Sequence, residues 1–199
     1  GCEAAYQISK FNINVDLYEM RPKVKTEAHQ TKYLAELVCS NSFRSDDKEY
    51  NAVGVLHEEL RIADSLIMKI ADQNKVPAGS ALAVDRVNFA KDVNKTIMSI
   101  PNINIINEEV KDLNQFDNQI VVVSTGPLTS RTLSESIKLK TSENSLAFYD
   151  AIAPIVYKDT INMTVAWKQS RYDKGNGDDY INCPLSKEEY YQFINKIKK

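Results

Sequence analysis

The sequence predicts an α/β fold: a partial Rossmann-like nucleotide-binding domain whose first strand is missing, followed by the start of an inserted α+β domain. Three observations predict it. The chain opens on GCEAAYQISK, a helix-like run led by Gly1 with small residues behind it. A short strand follows, carried by Val15 and Leu17, and it stops on an acid, Glu19. Further on, Gln119–Val123 (QIVVV) runs directly into Ser124-Thr125-Gly126-Pro127. A glycine-led helix, a strand and an acid at the strand tip make up the second half of a dinucleotide-binding βαβ unit. The first strand and the earlier glycines of such a unit would precede Gly1, so the chain is expected to begin inside its own motif.

Taken in order, the elements read as follows. A polar loop spans Arg21–Lys32, and LAELVCSNSFR is a short apolar turn that ends in Cys39-Ser40-Asn41-Ser42. Leu56, Leu60, Ala63, Leu66, Ile67 and Ile70 recur near helical spacing, which predicts one long amphipathic helix over Val53–Lys75. Pro77-Ala78-Gly79-Ser80 ends it. Asp85 is placed to cap a second helix, Arg86–Ser99, with Phe89, Val93 and Ile97 on its inner face. Pro101 punctuates, and Ile103–Ile106 reads as a strand. The apolar Gln119–Val123 is expected to be a central parallel strand covered on both faces. Thr129 is expected to cap the next helix. From Asn144 the texture turns aromatic and β-rich, with a turn signal at Lys174-Gly175-Asn176-Gly177. Ser186-Lys187-Glu188-Glu189 is a capping box for a last helix, Lys187–Lys198. The domains are therefore expected at 1–143 and 144–199.

Composition narrows the class. With 43% hydrophobic and 26% charged residues, the 199-residue chain has the make-up of an ordinary globular protein. The apolar runs are too short for a membrane span. Three cysteines, odd in number and far apart, argue against a disulfide framework and for a reducing, cytoplasmic setting. A net charge of −2 gives no global attraction to nucleic acid, so DNA is not expected and any RNA contact needs a local patch.

Glu19 can accept hydrogen bonds from the ribose hydroxyls of an adenosine cofactor, although a charged strand end is often only solvated. The turn Ser124–Pro127 stands where open α/β sheets bind ligands. Cys39 reads either as a small buried hydrophobe or as a thiol activated by its Ser, Asn and Arg44 neighbours. His57-Glu58-Glu59-Leu60-Arg61 starts like a zinc-protease motif, but Arg61 stands where the second histidine is needed, so no metal site is expected. His57 reads as a polar helix residue, and His29 as an ordinary loop residue. Lys168, Arg171 and Lys174, interleaved with Trp167 and Tyr172, could hold phosphates and stack bases, or could form a plain surface hairpin.

Several segments together carry a resemblance: DLYEMRP, LAELVCSNSFR, NAVGVLHEEL, VPAGSALAVDR, STGPLTS, FYDAIAPIV and SRYDKG with YINCP. In this order they resemble the folate- and FAD-dependent tRNA (uracil-54-C5)-methyltransferase family, along essentially the whole chain. The resemblance implies FAD as the bound cofactor, with NAD(P)H and 5,10-methylenetetrahydrofolate as co-substrates. A one-carbon unit would pass to C5 of a uracil in tRNA, or in ribosomal RNA if the chain belongs to the sister group. It further implies that Gly1, Glu19, Arg21, Ser40, Asn41, Ser42, Val110, Thr125, Gly126 and Pro127 bind the flavin, and that Cys39 assists methyl transfer. Departures from the family pattern are small: Ser80 replaces a glycine, and Ser124 an alanine. Cys183 does not match the family's uracil nucleophile, which is expected outside this chain together with the folate pocket. The fragment alone is therefore expected to be inactive. The missing first strand, which exposes apolar strand faces and unpaired backbone groups, is expected to leave it poorly soluble or partly unfolded. A non-catalytic truncated remnant is the rival from another class. The oligomeric state is not fixed by the sequence.

Overall fold

Helix α1 (Cys2–Ser9) starts directly after Gly1, as the sequence predicts, and turns Ala5 into the core. Strand β1 (Val15–Tyr18) follows and alternates, with Val15 and Leu17 against the core. It pairs in parallel with β5 (Ile103–Ile106), from Val15 opposite Ile103 to Tyr18 opposite Ile106. Glu19 N extends the ladder by donating to Ile106 O at 3.0 Å. Asn102 locks the entry to β5, its amide donating to Ser9 O and Ile13 O at 3.0 and 2.8 Å.

The computed structural model describes residues 1–142 and 156–198. By their contacts they divide into one unit of Gly1–Val76 with Leu82–Ala153 and another of Pro77–Ala81 with Pro154–Lys199. The boundary expected at residues 143 and 144 falls outside the described residues.

The single helix expected over Val53–Lys75 is two. Helix α2 (Ala52–Ile62) ends at Ala63, and α3 (Leu66–Gln73) begins after Ser65. Asp64 adopts a left-handed φ of 55°, Ser65 N donates back to Leu60 O, and Asp64 N donates to Arg61 O, both at 3.0 Å. This is a Schellman closure with a non-glycine residue at its left-handed position. Helix α1 holds the break in place. Lys10 Nζ and Gln7 Nε2 donate to Asp64 O at 3.2 and 3.0 Å, and Lys10 also pairs with the Asp64 carboxylate at 2.7 Å. Glu3 accepts from Ser65 Oγ and Ile67 N at 2.9 Å each, capping the first turn of α3. His57, read from sequence as a plain polar helix residue, is instead 5% exposed and bonds Asp46 at 3.0 Å through Nδ1.

A three-stranded sheet, in the order β2 (Ser42–Ser45), β4 (Ala81–Val84) and β3 (Lys75–Val76), is antiparallel between β3 and β4. Helix α4 (Arg86–Met98) carries the capping predicted for it: Asp85 Oδ1 accepts from Val87 N and Asn88 N at 3.0 and 2.9 Å. Its Phe89, Val93 and Ile97 are fully buried with Leu66, Met68, Ile70, Leu82 and Val84. Each such side chain contributes about 1.5–3 kcal/mol through burial. Phe43 meets Phe89 edge-on, with centroids 5.5 Å apart.

Gln119–Val123 departs from expectation. It forms no strand and carries no ladder, and Ile120 is 101% exposed. The parallel sheet among the described residues holds only β1 and β5, so no neighbouring strand covers or pairs this run. Helix α5 (Arg131–Thr141) is preceded by Ser130 and not by Thr129 as expected. Thr129 Oγ1 donates instead to Gly126 O at 2.8 Å, which ties it into the turn before the helix.

In the second unit, β6 (Trp167–Lys168) and β7 (Ile181–Asn182) form a short antiparallel ladder. The intervening residues fold back so that the Asp179 carboxylate accepts from Gly79 N at 2.6 Å and Tyr180 Oη donates to Ala78 O at 2.6 Å. Helix α6 (Lys187–Ile197) carries the predicted capping box, with Ser186 N and Glu189 N each bonded to the other residue's side chain.

Candidate functional site

The site lies at the C-terminal end of β1. Helix α1 begins here with Gly1 at its N-cap and, among the described residues, no side chain capping its first turn. Leading N–H groups with the positive end of a helix dipole suit an anion. The turn that follows Gln119–Val123 reaches the same place. A Cβ built on Gly1 would stand 3.5 Å from Ser124 Oγ and 3.8 Å from Leu17 Cδ1. The structure thus brings Gly1, β1 and the turn at Ser124 together, although Ser124 is more than a hundred residues from both in sequence.

Thr125, Gly126 and Pro127 form that turn, a 3-10 segment over Gly126–Leu128. Gly126 has φ +71° with nothing within 4 Å of where a side chain would stand, so its backbone is open to a ligand. Thr129 Oγ1 gives its hydrogen to Gly126 O, so Thr125 Oγ1 is the donor in the 2.6 Å contact between the two hydroxyls.

Glu19 and Arg21, read from sequence as two separate flavin contacts, form one ion pair. Glu19 Oε1 accepts from Arg21 N and Nε at 3.0 and 2.9 Å, and Oε2 accepts from Nη2 at 2.8 Å. This is the two-pronged carboxylate–guanidinium geometry. Burial opposes ionisation of Glu19, but the hydrogen bonds and charge of Arg21 outweigh it and hold the carboxyl below its ordinary range. Among the described residues Oε2 takes a single donor, which leaves it an acceptor position for a ligand hydroxyl.

Arg21 is 5% exposed and has a second acid that sequence reading missed. Glu36 Oε2 accepts from Arg21 Nη1 at 2.8 Å, while Oε1 accepts from Gln30 N and Thr31 N at 2.8 and 3.1 Å. The available signal was one acid inside the apolar run LAELV, a position where a charge is normally paired. Asn107 was also missed. Its amide donates to Arg21 O at 2.6 Å and joins the segment after β5 to the segment after β1. His29 stays below its ordinary pKa because burial disfavours its charge and Arg21 repels it, against the pull of Glu36 and Glu19.

Val110 lies half-buried in the irregular stretch after β5. Beside it, a cleft of about 360 Å³ opens between Lys23 and Val24 on one side and Glu108, Glu109, Lys111 and Asp112 on the other. A crevice beyond the carboxyl ends of parallel strands is where this class of sheet receives ligands.

Ser40, Asn41 and Ser42 form a separate group. Asn41 is tied to β4, its amide donating to Val84 O at 2.9 Å and its carbonyl accepting from Val84 N at 3.0 Å. Ser40 Oγ accepts from Ser42 N, and Ser42 Oγ from Arg44 N, each at 3.1 Å. Cys39 is half-buried beside them. Among the described residues no cluster of three or more His, Cys, Asp or Glu side chains could hold a metal ion, and no helix is long and apolar enough to cross a membrane.

The whole chain, residues 1–199, matches the family model described as glucose inhibited division protein A. Similar relatives bear the name methylenetetrahydrofolate–tRNA-(uracil-5-)-methyltransferase TrmFO. The relative from Bartonella henselae is 55% identical over 202 residues, covering 100% of this chain and 43% of its own. That from Paramagnetospirillum magneticum is 57% identical over 197 residues, 99% of this chain and 44% of its own. That from Rhizobium meliloti is 54% identical over 201 residues, 99% and 43%. The chain spans less than half the length of the curated relatives it matches.

Proposed function

Because the chain belongs to the glucose inhibited division protein A family, we propose that it is the flavin-binding portion of a folate-dependent RNA uracil-C5 methyltransferase acting on tRNA. The observation that carries this reading is the meeting of Gly1 with the turn at Ser124 beside the acid-tipped strand β1. The donor set suits FAD. Uncapped N–H groups of α1 suit the pyrophosphate, and the remaining acceptor position on Glu19 Oε2 suits a ribose hydroxyl. Val110 and the cleft beside it would seat the adenine side, and Arg21 would act through Glu19. The open backbone at Thr125, Gly126 and Pro127, together with the loop Ser40–Ser42, would approach the rest of the cofactor.

When bound, the flavin supplies the electrons that reduce the transferred carbon, with NAD(P)H as the source and 5,10-methylenetetrahydrofolate as the one-carbon donor. The residues of this chain bind and orient. Cys39 is the candidate assisting thiol: a thiolate is a soft, readily expelled group, suited to reversible addition to a uracil ring. The setting would be cytoplasmic.

The test uses the complete gene product, checked for a bound yellow chromophore and incubated with methylenetetrahydrofolate, NADPH and separate tRNA and ribosomal RNA transcripts. Mass spectrometry of the digests reads 5-methyluridine. Methylation of tRNA alone is expected. Methylation of ribosomal RNA alone would reassign the target, and bound flavin with no methylated RNA would refute the transferase reading.

A further inference from the structure

Arg21 stands two residues beyond the strand-tip acid Glu19. In nucleotide-binding units an acid there takes the ribose hydroxyls, whereas a nearby arginine accommodates a phosphate on the ribose. This chain carries both, so its local sequence fits a plain ribose and a phosphorylated one equally well.

Glu36 breaks the tie. Its side chain is 4% exposed and reaches Arg21 Nη1 at 2.8 Å from the other end of the loop. It is fixed there, because Oε1 also satisfies Gln30 N and Thr31 N. Three of the five guanidinium N–H donors are therefore spent on two carboxylates. The triad Glu19–Arg21–Glu36 keeps a net negative charge, and the cleft lined by residues that follow β1 and β5 carries three acids, Glu108, Glu109 and Asp112, against Lys23 and Lys111. His29, held neutral beside the triad, supplies no compensating cation.

We propose that Glu36 is the specificity-determining residue of the adenosine site: by holding Arg21 between two carboxylates, it makes the site accept an unphosphorylated ribose and reject one with a 2′-phosphate. Rejection follows because a buried, doubly compensated arginine has no charge to offer, and the incoming phosphate meets net negative charge. A protein reduced by a phosphorylated nicotinamide nucleotide would by this means keep that nucleotide out of the flavin's adenosine seat. The inference rests on the adenosine reading of Glu19 given above.

The test uses the complete gene product stripped of flavin. Rebinding of FAD is followed by quenching of its fluorescence, with ADP or ADP bearing a further 2′-phosphate as competitor. For the wild type, the 2′-phosphorylated ADP is expected to compete at least about tenfold more weakly than ADP, a difference of about 1.4 kcal/mol. In Glu36→Gln that gap should close or reverse, because Arg21 is released toward the ligand. A merely structural role for Glu36 would weaken both competitors together and leave their ratio unchanged. Should the glutamine variant fail to fold, Glu36→Asp serves: the shorter side chain loosens its hold on Arg21, and the ratio should shrink in the same direction. A wild-type ratio near one, or a ratio unmoved in the variant, overturns the inference alone. Failure of FAD to rebind, or of ADP to compete at all, overturns the adenosine reading and the inference with it.

Discussion

Arg21 is the residue on which the site turns, because two partly buried acids depend on one guanidinium. Removing the cation leaves both carboxylates in a poorly solvated place, and breaking a buried pair in this way typically costs about 3–5 kcal/mol. Arg21→Met is therefore expected to lower unfolding stability by that order, read as a fall in the urea midpoint. Glu19→Gln should behave differently. It weakens a charged acceptor for the ribose, and hydrogen bonds to charged groups are worth about 1.5–3 kcal/mol. FAD affinity should fall by about ten- to a hundredfold in fluorescence titration, and unchanged affinity would remove Glu19 from the site. The sequence singles out Glu19 through a strand that ends on an acid, which is a local pattern, and Arg21 through the family resemblance alone. Sequence reading missed that they bind each other and share Arg21 with Glu36, since that partnership closes across fifteen residues of irregular loop.

Among the elements, those fixed by nearest neighbours were legible in the sequence. The Asp85 cap and the Ser186–Glu189 box need only a few consecutive residues, and both stand as expected. Asp85→Ala should cost about 1 kcal/mol, as loss of an N-cap does, measured by chemical denaturation. The break between α2 and α3 was not legible. Helical periodicity runs straight through it, and the groups that hold Asp64 in its left-handed conformation come from α1, more than fifty residues away. Gln119–Val123 misled for the opposite reason: its composition is that of a covered strand, but pairing is a property of neighbours and not of the segment. Gly54 in α2 offers a further test. A Cβ there would run into the Asp47 carbonyl and approach Lys48 N to 2.7 Å. Both are backbone groups that cannot swing aside, so Gly54→Ala is expected to cost about 1–3 kcal/mol through overpacking.

At the scale of the whole molecule, two collective properties follow. The first is the response to acid. Glu3, Glu19 and Asp46 all sit below their ordinary values of 4.5, 4.5 and 3.8, since hydrogen bonds and cations outweigh the burial that opposes their charge. Their stabilisation is present above those ordinary values and is lost as pH falls through the lower folded ones. His29, also depressed, begins to erode stability below its ordinary 6.5. Thermal stability should therefore be flat near neutrality, sag gently below about pH 6.5 and drop steeply below about pH 4.5; a profile that rises on acidification would contradict these assignments. The second property is association. Ile120 to Val123 are exposed and, among the described residues, β1 pairs on one side only, which together invite pairing with another chain. The 199-residue chain made alone is expected to elute as aggregates in light-scattering chromatography, and Val122→Lys to raise the soluble fraction. A sharply melting monomer would refute this.

The grip of α1 on the break between α2 and α3 makes the helix a strut about 12 Å long at 1.5 Å per residue. One end, at Gly1, faces the seat proposed for the nucleotide. Near that same end the Glu3 carboxylate reaches sideways to the Ile67 amide, and at the far end Lys10 clasps Asp64. The isotopic clock on the Ile67 amide should then tell the time of cofactor arrival: once Gly1 is pinned, deuterium enters that amide more slowly, although no part of the cofactor touches it.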